Sequence, residues 1–354
     1  MRTYIDRFLR PQSVSNAVLV VALLALALYF ASRTSRFATS SNFLTLVDNA
    51  AALGIIVVPF TLLVIAGYID FSVGSVAALS ATLTAISVTQ WGWSEAAGLA
   101  LGLCVGIAAG AVNGFLCVIL GWHPIIVTLG MLGAIRGATL IVQQDQIFGI
   151  GPLVESIGTG DIAGIPITTV IALLCFAAGG AFLTLTPWGR HIFALGANPQ
   201  AAFLSAIRVK AIPFVLYVVT GAGASLAGIV YMARLNGVAP APTAESMEFQ
   251  ALTIVLLGGV AFAGGRGSLF GVFIAWLFLA TLNNGLVLLH VTPYVQTVAS
   301  GLALVAAAAL DRAGSTVIPR LHAWREARSR VTDDPGTTTA PRPEPAKQLS
   351  GARQ

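Results

Sequence analysis

Apolar segments of membrane-spanning length recur along the chain. Crossing the hydrocarbon core of a bilayer takes about 20 mostly apolar residues, since each helical residue advances the chain by about 1.5 Å. Polar and charged residues fall between these segments, and the eighth segment is short. The pattern predicts an all-α polytopic membrane protein with about ten transmembrane helices, at 16–32, 48–67, 71–89, 95–119, 123–142, 165–187, 212–232, 249–263, 267–289 and 293–310.

The composition also excludes a soluble globular protein. Of the 354 residues, 56% are hydrophobic and only 9% are charged, whereas soluble domains carry about 25% charged residues. The three cysteines, Cys104, Cys117 and Cys175, all lie in apolar segments without a CxxC pair. We therefore expect neither a disulfide framework nor a metal site.

Basic residues are distributed unevenly between alternate loops, which predicts the orientation of the chain. One side would hold Arg2, Arg7, Arg10, Arg190, Arg208, Lys210, Arg266, Arg312, Arg320, Arg325, Arg328 and Arg330. The other would hold Arg33, Arg36 and Arg234 with most of the loop acids, among them Glu245 and Glu248. Positively charged loops remain in the cytoplasm, so both termini are expected there and the first span is expected to be an uncleaved anchor. The net charge of +5 is then an orientation signal and not a nucleic-acid surface.

Three regions follow from this topology. Residues 1–15 form a cytoplasmic N-terminus, 16–312 the transmembrane domain and 313–354 a cytoplasmic tail. From about residue 331 the tail is polar and rich in proline and threonine, so it cannot bury a core and is expected to be disordered.

A short motif occurs twice, five spans apart. An Asn-Gly pair at 113–114 precedes Pro124 at the start of the fifth span, and an Asn-Gly pair at 284–285 precedes Pro293 at the start of the tenth. Because five is odd, the two copies would have opposite orientations in the membrane. This is the pattern of an inverted repeat of spans 2–5 and 7–10. Chance similarity is the alternative, since the motif is short.

The fourth span carries a glycine at every fourth position from Gly98 to Gly114. These positions drift around the helix by about 160° in total. Small residues let helix backbones approach closely in a membrane, so we expect this helix to pack against more than one neighbour and interpret its glycines as packing residues.

Two ionisable residues fall within or between apolar segments. Asp70 lies in the string GYIDFSVGS and Arg136 in LGMLGAIRG. A charge in hydrocarbon costs about 2.5–3.5 kcal/mol on insertion scales, so each should face a cavity or a partner. Straight helices would separate the two by about 20 Å in depth, so that pairing would need a break near Gly67. Asp70 could equally cap a helix at a membrane turn.

The loop at 188–211, between spans six and seven, contains a predicted amphipathic helix. Asn198 followed by proline is typical of a helix start. One face would carry small residues and the other bulky ones, namely Ala201, Ala202, Ser205 and Ala206 against Phe203, Leu204 and Ile207. The bulky face would lie on the membrane or on neighbouring helices, which leaves the small face to dock into a partner. A surface helix that only links two spans is the alternative.

Catalytic motifs are not assembled in this sequence. The string at 158–161 matches the GxGD of intramembrane aspartyl proteases, but it lies in a predicted outer loop without a Tyr-Asp partner. There is no HExxH, and neither Lys210 nor Lys347 follows the glycine pattern of a P-loop. No catalytic residue, metal ligand or cofactor is expected, and any ATP with its Mg²⁺ would be bound by another chain.

Five ordered motifs resemble the permease subunits of ribose-type sugar ABC importers, in the branched-chain amino acid/sugar permease superfamily. The first, GYIDFSVGS, is similar to that family's GGIDLSVGS, with Tyr68 and Phe71 as departures. The others are NGFLCVILGWHPIIVTLGMLGAIRG (113–137), WGRHIFALGANPQAAFLSAI (188–207), VLLGGVAFAGGRGSLFG (255–271) and LNNGL (282–286). Together they span about residues 48–312.

The resemblance carries expectations for particular residues. It makes 196–207 the coupling helix that contacts the ATPase, with candidate residues Gly196, Asn198, Ala201, Ala202, Ser205 and Ala206. Ala206 stands where the family usually has glycine. The signature string and the repeat turns, together with the intramembrane arginine, supply candidate residues of the substrate pathway, namely Asp70, Ser72, Asn113, Arg136, Asn283 and Asn284.

The function that the resemblance implies is translocation of a monosaccharide, ribose or a similar sugar, across the bacterial cytoplasmic membrane. The implied partners are ABC ATPase subunits, a periplasmic binding protein and a second permease copy or related permease, within membrane lipid. A permease for nucleosides, autoinducer or branched-chain amino acids is the alternative in the same superfamily. A secondary transporter is the alternative of another class, and uptake that needs an ion gradient and no ATP would favour it.

Overall fold

A computed structural model describes residues 11–292, 294–306 and 309. The chain divides into two units, Met1–Asp311 and Arg312–Gln354, and the fold below is that of the first. The expectations for most of the N-terminus and for the whole C-terminal tail fall outside the described residues.

Fourteen α-helices and four very short strands make up the described part of the chain. The helices are α1 Pro11–Arg33, α2 Ser40–Asn49, α3 Ala51–Ile65, α4 Val73–Thr89, α5 Glu95–Gly114 with a π-helix Phe115–Ile119 after it, α6 Pro124–Val142, α7 Pro152–Thr159, α8 Ile167–Leu185, α9 Pro187–Ala197, α10 Pro199–Leu204, α11 Ala211–Leu235, α12 Met247–Leu257, α13 Leu269–Leu288 and α14 Tyr294–Ala306. Two antiparallel pairs join the two-residue strands, β1 Ile147–Phe148 with β4 Gly237–Val238 and β2 Asp161–Ile162 with β3 Ile165–Pro166.

The prediction of an all-α polytopic membrane protein is confirmed. Within the described residues, seven helices are long and apolar enough to cross a bilayer, with α2 and α3 counted as one continuous helix from Ser40 to Ile65. Three shorter apolar helices, α4, α12 and α14, lie where the third, eighth and tenth spans are predicted. The eighth prediction is too long, since α12 ends at Leu257.

Helices α3, α4 and α11 form the centre of the bundle. Helix α3 is apolar on every side, which is the pattern of a helix enclosed by others, and nearly all its side chains are buried. Helices α1 and α6 instead expose apolar side chains, such as Leu28 at 71% and Ile141 at 85%. Such faces are suited to lipid, whose tails are as apolar as leucine.

The glycines of α5 contact two neighbouring helices, as their drift around the helix predicts. A Cβ on Gly98 would lie 2.8 Å from Oγ of Ser87 in α4, and one on Gly110 would collide with the Tyr217 carbonyl in α11. Gly102 lies between the two neighbours, close to Thr84 and Ile229. These glycines are packing residues, so this prediction is confirmed.

The two ends of the bundle differ in how their helices are joined. At one, the ion-pair end, Arg234 Nε bonds Asp48 Oδ2 at 2.9 Å beside the β1–β4 pair. At the other, the glycine-junction end, the backbones of Gly67, Gly196, Gly264 and Gly265 approach one another closely.

Helices α4 and α12 are short because each begins inside the bundle. Ala77, near the start of α4, packs against Gly228, which lies about 26 Å from the start of α11. Gly258, directly after α12, packs against Val272 at the start of α13. Helix α12 has 11 residues and so extends about 16 Å, roughly half the length of the 20-residue α13.

The first turns of α4 and α12 meet in the middle of the bundle. A Cβ on Gly74 would collide with Oε2 of Glu248 and would lie 2.8 Å from the carbonyl oxygen of Ala244. The segment before α4, residues 66–72, therefore enters the bundle from the glycine-junction end. The segment before α12, residues 239–246, enters it from the ion-pair end. Both segments are non-helical.

Candidate functional site

Asp70, Ser72 and Asn113 form one buried polar cluster on the segment that precedes α4. Oδ1 of Asp70 accepts hydrogen bonds from the backbone N–H of Ser72 at 2.8 Å and from its Oγ at 2.6 Å. Nδ2 of Asn113 donates to Oδ2 of Asp70 at 3.1 Å and to Oγ of Ser72 at 2.8 Å. All three side chains are at most 1% exposed.

Local geometry explains why these residues stand together. An aspartate that accepts from the backbone N–H two residues on makes an Asx turn, and this turn directs the chain into α4. Asn113 reaches it from the last turn of α5. The hydroxyl of Tyr217 in α11 donates to the carbonyl of Ile69 at 3.0 Å, so two helices, α5 and α11, hold the segment.

Arg136 donates hydrogen bonds to the other non-helical segment, the one before α12. Its Nη1 donates to the carbonyl oxygen of Thr243 at 2.8 Å, with longer contacts of 3.5 Å to the carbonyls of Pro240, Ala241 and Ala244. A planar guanidinium with five N–H donors can serve several carbonyls at once. Asp70 and Arg136 are thus not a pair, since each is engaged at a different segment.

These contacts satisfy a strict requirement of the membrane interior. Backbone groups outside a helix are tolerated at membrane depth only where protein or water satisfies them. Asp70 and Tyr217 do so before α4, and Arg136 does so before α12. Both charges are therefore explained by partners, as a buried charge requires.

Asn283 and Asn284 lie apart from the Asp70 cluster. The side chains of Asn284 and Asn42 exchange two hydrogen bonds, of 3.0 and 3.1 Å. Asn283 lines two adjoining cavities, of about 330 and 590 Å³, and Asn284 also lines the smaller one. The six pathway candidates thus occupy three places, and only Asp70, Ser72 and Asn113 come together.

Helix α10 begins as predicted, but Ala202 of its small face is buried and two of its bulky residues are exposed. Oδ1 of Asn198 accepts from the N–H groups of Gln200 and Ala201 at 3.0 Å each. Ala202, however, is only 4% exposed, whereas Phe203 is 65% and Leu204 81% exposed. The expectation that the small face points outward is therefore wrong at Ala202, whose carbonyl oxygen accepts hydrogen bonds from the N–H groups of Ser205 and Ile207 in the turn that ends the helix.

The turn that ends α10 contains Ala206, the one departure in the loop motif. The N–H of Ala206 bonds the Phe203 carbonyl at 3.0 Å and the N–H of Ile207 bonds the Ala202 carbonyl at 3.1 Å, the two bonds of a Schellman motif. Ala206 has φ +60°, the left-handed conformation in which glycine is favoured. The glycine that the resembled family usually has here is the residue that this geometry prefers.

Gly196 belongs to a packing contact inside the chain and not to the exposed surface of the loop. A Cβ there would collide with the carbonyl oxygen of Ile65 and would lie 2.5 Å from the N atom of Gly265. The N–H of Gly265 donates to the same carbonyl at 2.8 Å. Gly264 lies against Gly67, so the junction joins the loop to the segment that carries Asp70.

Sequence reasoning missed Glu248, which it placed in an outer loop. Its side chain is 5% exposed, and its Oε2 has no hydrogen-bond partner in the described part of the chain. The position of Glu248 two residues into a helix could have been predicted only by recognising that Ser246 begins a helix within the membrane.

The other coupling candidates are exposed at the surface, as predicted for residues that contact a partner. They are Asn198, Ala201, Ser205 and Ala206, in α10 and at its two ends.

Comparison with known proteins identifies the family. Residues 42–308 match the profile of the branched-chain amino acid transport system permease component. The chain belongs to this permease family. It is therefore a transport subunit and not an enzyme, and it is a multi-pass protein of the inner membrane.

Three relatives of the permease cover most of its length. It is 37% identical to the D-allose transport system permease protein of Escherichia coli K12 over 72% of this chain and 77% of that one. It is 34% identical to the ribose import permease protein of Bacillus subtilis 168 (77% and 84%) and 33% identical to that of Escherichia coli K12 (82% and 92%). No solved structure matches the permease.

Proposed function

We propose that this permease is the membrane subunit of an ATP-binding cassette importer for a monosaccharide. The observation that carries the substrate class is the similarity to permeases named for D-allose and ribose, along 72–82% of the chain. A separate ATPase binds ATP and Mg²⁺, a periplasmic binding protein delivers the sugar, and two permeases, identical or related, enclose the pathway.

The proposed topology has ten spans, with both termini and the glycine-junction end in the cytoplasm. The loops at that end carry Arg190, Arg208, Lys210 and Arg266, as positively charged cytoplasmic loops do. Helices α4, α12 and α14 complete the ten, α4 and α12 each with the non-helical segment before it. In this arrangement, residues 16–312 are the permease domain and 188–211 its coupling loop.

The meeting of α4 and α12 supports an inverted repeat of spans 2–5 and 7–10. The N-caps of these helices are Ser72 and Ser246, so Gly74 and Glu248 hold the same position in their helices. Residues related by a two-fold axis meet each other at that axis, and these two residues are in contact. Broken helices that meet near the midplane are typical of transporters built from inverted repeats.

The coupling mechanism follows from the glycine junction. Helix α10 receives the movement of the ATPase, and Gly196 transmits it through the backbones at Ile65 and Gly265 to the segment 66–72. Close-packed backbones transmit displacement because they cannot be compressed. The Asp70 cluster then moves with α4, which shifts the middle of the bundle between outward-open and inward-open states.

Purification of the permease in mild detergent tests this function. We expect an ATPase with a P-loop to co-purify, and its hydrolysis to rise when the sugar-loaded binding protein is added. The permease alone should hydrolyse no ATP. Robust hydrolysis by the lone chain, or the absence of any ATPase partner, would contradict the proposal.

A further inference from the structure

Two cavities adjoin at the start of α12. The larger, of about 590 Å³, lies along α12, α13 and α14, and the smaller, of about 330 Å³, reaches α2 and α3. Both are lined by Glu245, Gln250 and Asn283. Each volume lies within the range of about 300–1,000 Å³ that small-molecule sites occupy.

The lining of the larger cavity is unusually polar for a membrane segment. Besides the three shared residues it includes Ser246, Thr253, Gln296, Thr297 and Ser300. Polar side chains are costly in a bilayer and therefore face a partner or a water-filled space. Amides and hydroxyls both donate and accept hydrogen bonds, which matches the hydroxyl groups of a polyol. Phe249 adds an apolar surface that packs on Phe71, with ring centroids 6.1 Å apart.

The charge of the lining favours a neutral ligand. Glu245 is the one acidic or basic side chain among the described lining residues of either cavity. Ala244 and Ser246 on either side of it have φ +55° and +59°, a left-handed conformation that persists in a non-glycine residue where the surrounding structure imposes it. A carboxylate only accepts hydrogen bonds. It would therefore bind hydroxyl donors and repel phosphate or carboxylate groups.

From these observations we infer that Glu245, Gln250 and Asn283 form a transient binding site for a neutral sugar on its way across the membrane. The inference rests on the proposed function, and it assigns the contact with the sugar to two residues near the start of α12 and one residue of α13. Occupation must be weak, since conduction requires that a bound solute also leaves. A neutral polyol fits this lining better than an amino acid, whose carboxylate would meet Glu245.

The sharpest test fills the cavity without disturbing the protein. Gly301 lines the larger cavity, and a Cβ there meets no atom within 4 Å. In proteoliposomes holding the complete importer, Gly301→Leu should lower uptake of labelled D-ribose and D-allose by at least about tenfold, because the added side chain excludes the sugar. Stimulation of ATP hydrolysis by the loaded binding protein should stay at the wild-type level. The matched control is Gly180→Leu in α8, where a Cβ also meets no atom within 4 Å, and it should leave uptake unchanged.

A second pair of variants tests the hydrogen-bonding residues themselves. Glu245→Gln and Asn283→Ala should each lower sugar uptake by about three- to tenfold, since the first replaces a charged hydrogen-bond acceptor with a weaker neutral one and the second removes a hydrogen bond to the sugar. Both variants should retain stimulated ATP hydrolysis, which the separate ATPase performs, so more ATP is consumed for each sugar carried than in the wild-type importer. Wild-type uptake by Gly301→Leu, or by both of these variants, would overturn the site and leave the proposed function standing. Uptake of leucine in place of either sugar by the wild-type importer would overturn the proposed function itself.

Discussion

At the residue scale, Asp70 and Arg136 are two ionisable residues within the bundle that stabilise backbone that is not helical. Asp70 completes an Asx turn and Arg136 serves the carbonyls from Pro240 to Ala244. Each side chain matches the backbone groups that it binds, since a carboxylate accepts hydrogen bonds from N–H groups and a guanidinium donates them to C=O groups. The sequence predicts that both need partners, but it does not identify them, because each partner lies on a segment distant in the chain.

The strained turn at the end of α10 gives a prediction at the same scale. Ala206 has φ +60°, and a left-handed conformation costs a non-glycine residue about 1–2 kcal/mol. Ala206→Gly should therefore raise the free energy of unfolding by up to about 1 kcal/mol, measured by thermal unfolding of the purified permease.

The matched control for this change is Ala201→Gly. Ala201 is exposed inside the helix, where glycine costs about 1 kcal/mol relative to alanine. A destabilised Ala206→Gly variant would contradict the Schellman geometry at this turn.

At the element scale, sequence periodicity predicts the long helices well and the broken ones poorly. Segments such as α5 and α6 reveal their ends through Ser94 and Pro124, a cap and a first-turn proline. The starts of α4 and α12 carry no comparable signal, because tertiary contacts in mid-bundle decide them. The burial of Ala202 in α10 is mispredicted for a related reason, since the turn at Ala206 folds Ile207 back toward Ala202.

The glycine junction predicts a specific sensitivity between elements. Gly196→Ala would place a Cβ against the Ile65 carbonyl and the Gly265 backbone, which cannot move aside as a side chain can. We expect it to destabilise the permease by about 1–3 kcal/mol and to reduce stimulation of ATP hydrolysis by the loaded binding protein.

Gly130→Ala is the control for Gly196→Ala. A Cβ at this helical position in α6 meets no atom within 4 Å, so the change should be neutral or slightly stabilising. If the two variants had the same thermal stability and the same stimulated ATP hydrolysis, the junction would not transmit the movement of the ATPase.

The exposed residues of α10 predict how the element docks. Phe203 and Leu204 project from the loop, and burying such a side chain contributes about 1.5–3 kcal/mol. Replacing both by alanine should weaken association with the ATPase by at least about tenfold, a change of about 1.4 kcal/mol, measured by titration of the detergent-solubilised proteins.

Gln200→Ala, exposed on the same helix, should leave association unchanged. Ala202→Glu is a poor probe of docking, since Ala202 is buried within the permease and a charge there would disturb its own loop. Full association of the Phe203/Leu204 double variant would mean that these residues face lipid and that coupling uses another surface.

At the scale of the whole molecule, the proposed topology makes opposite ends of the bundle accessible from opposite sides. In a background without Cys104, Cys117 and Cys175, a single cysteine at Glu155 or Asp161 should react with an impermeant thiol reagent in intact cells. One at Asn198 should react only after the membrane is opened. All three positions are exposed, so the reverse labelling would contradict the orientation and not merely the accessibility.

The most direct test of the account is sugar uptake by the purified importer in proteoliposomes. The complete complex with its loaded binding protein should accumulate sugar when ATP is supplied on the side of the ATPase, and an uncoupler should not change the rate. The permease alone should transport none. Uptake by the permease alone that needs no ATP and stops when the uncoupler is added would contradict the account, because the chain would then be a secondary transporter.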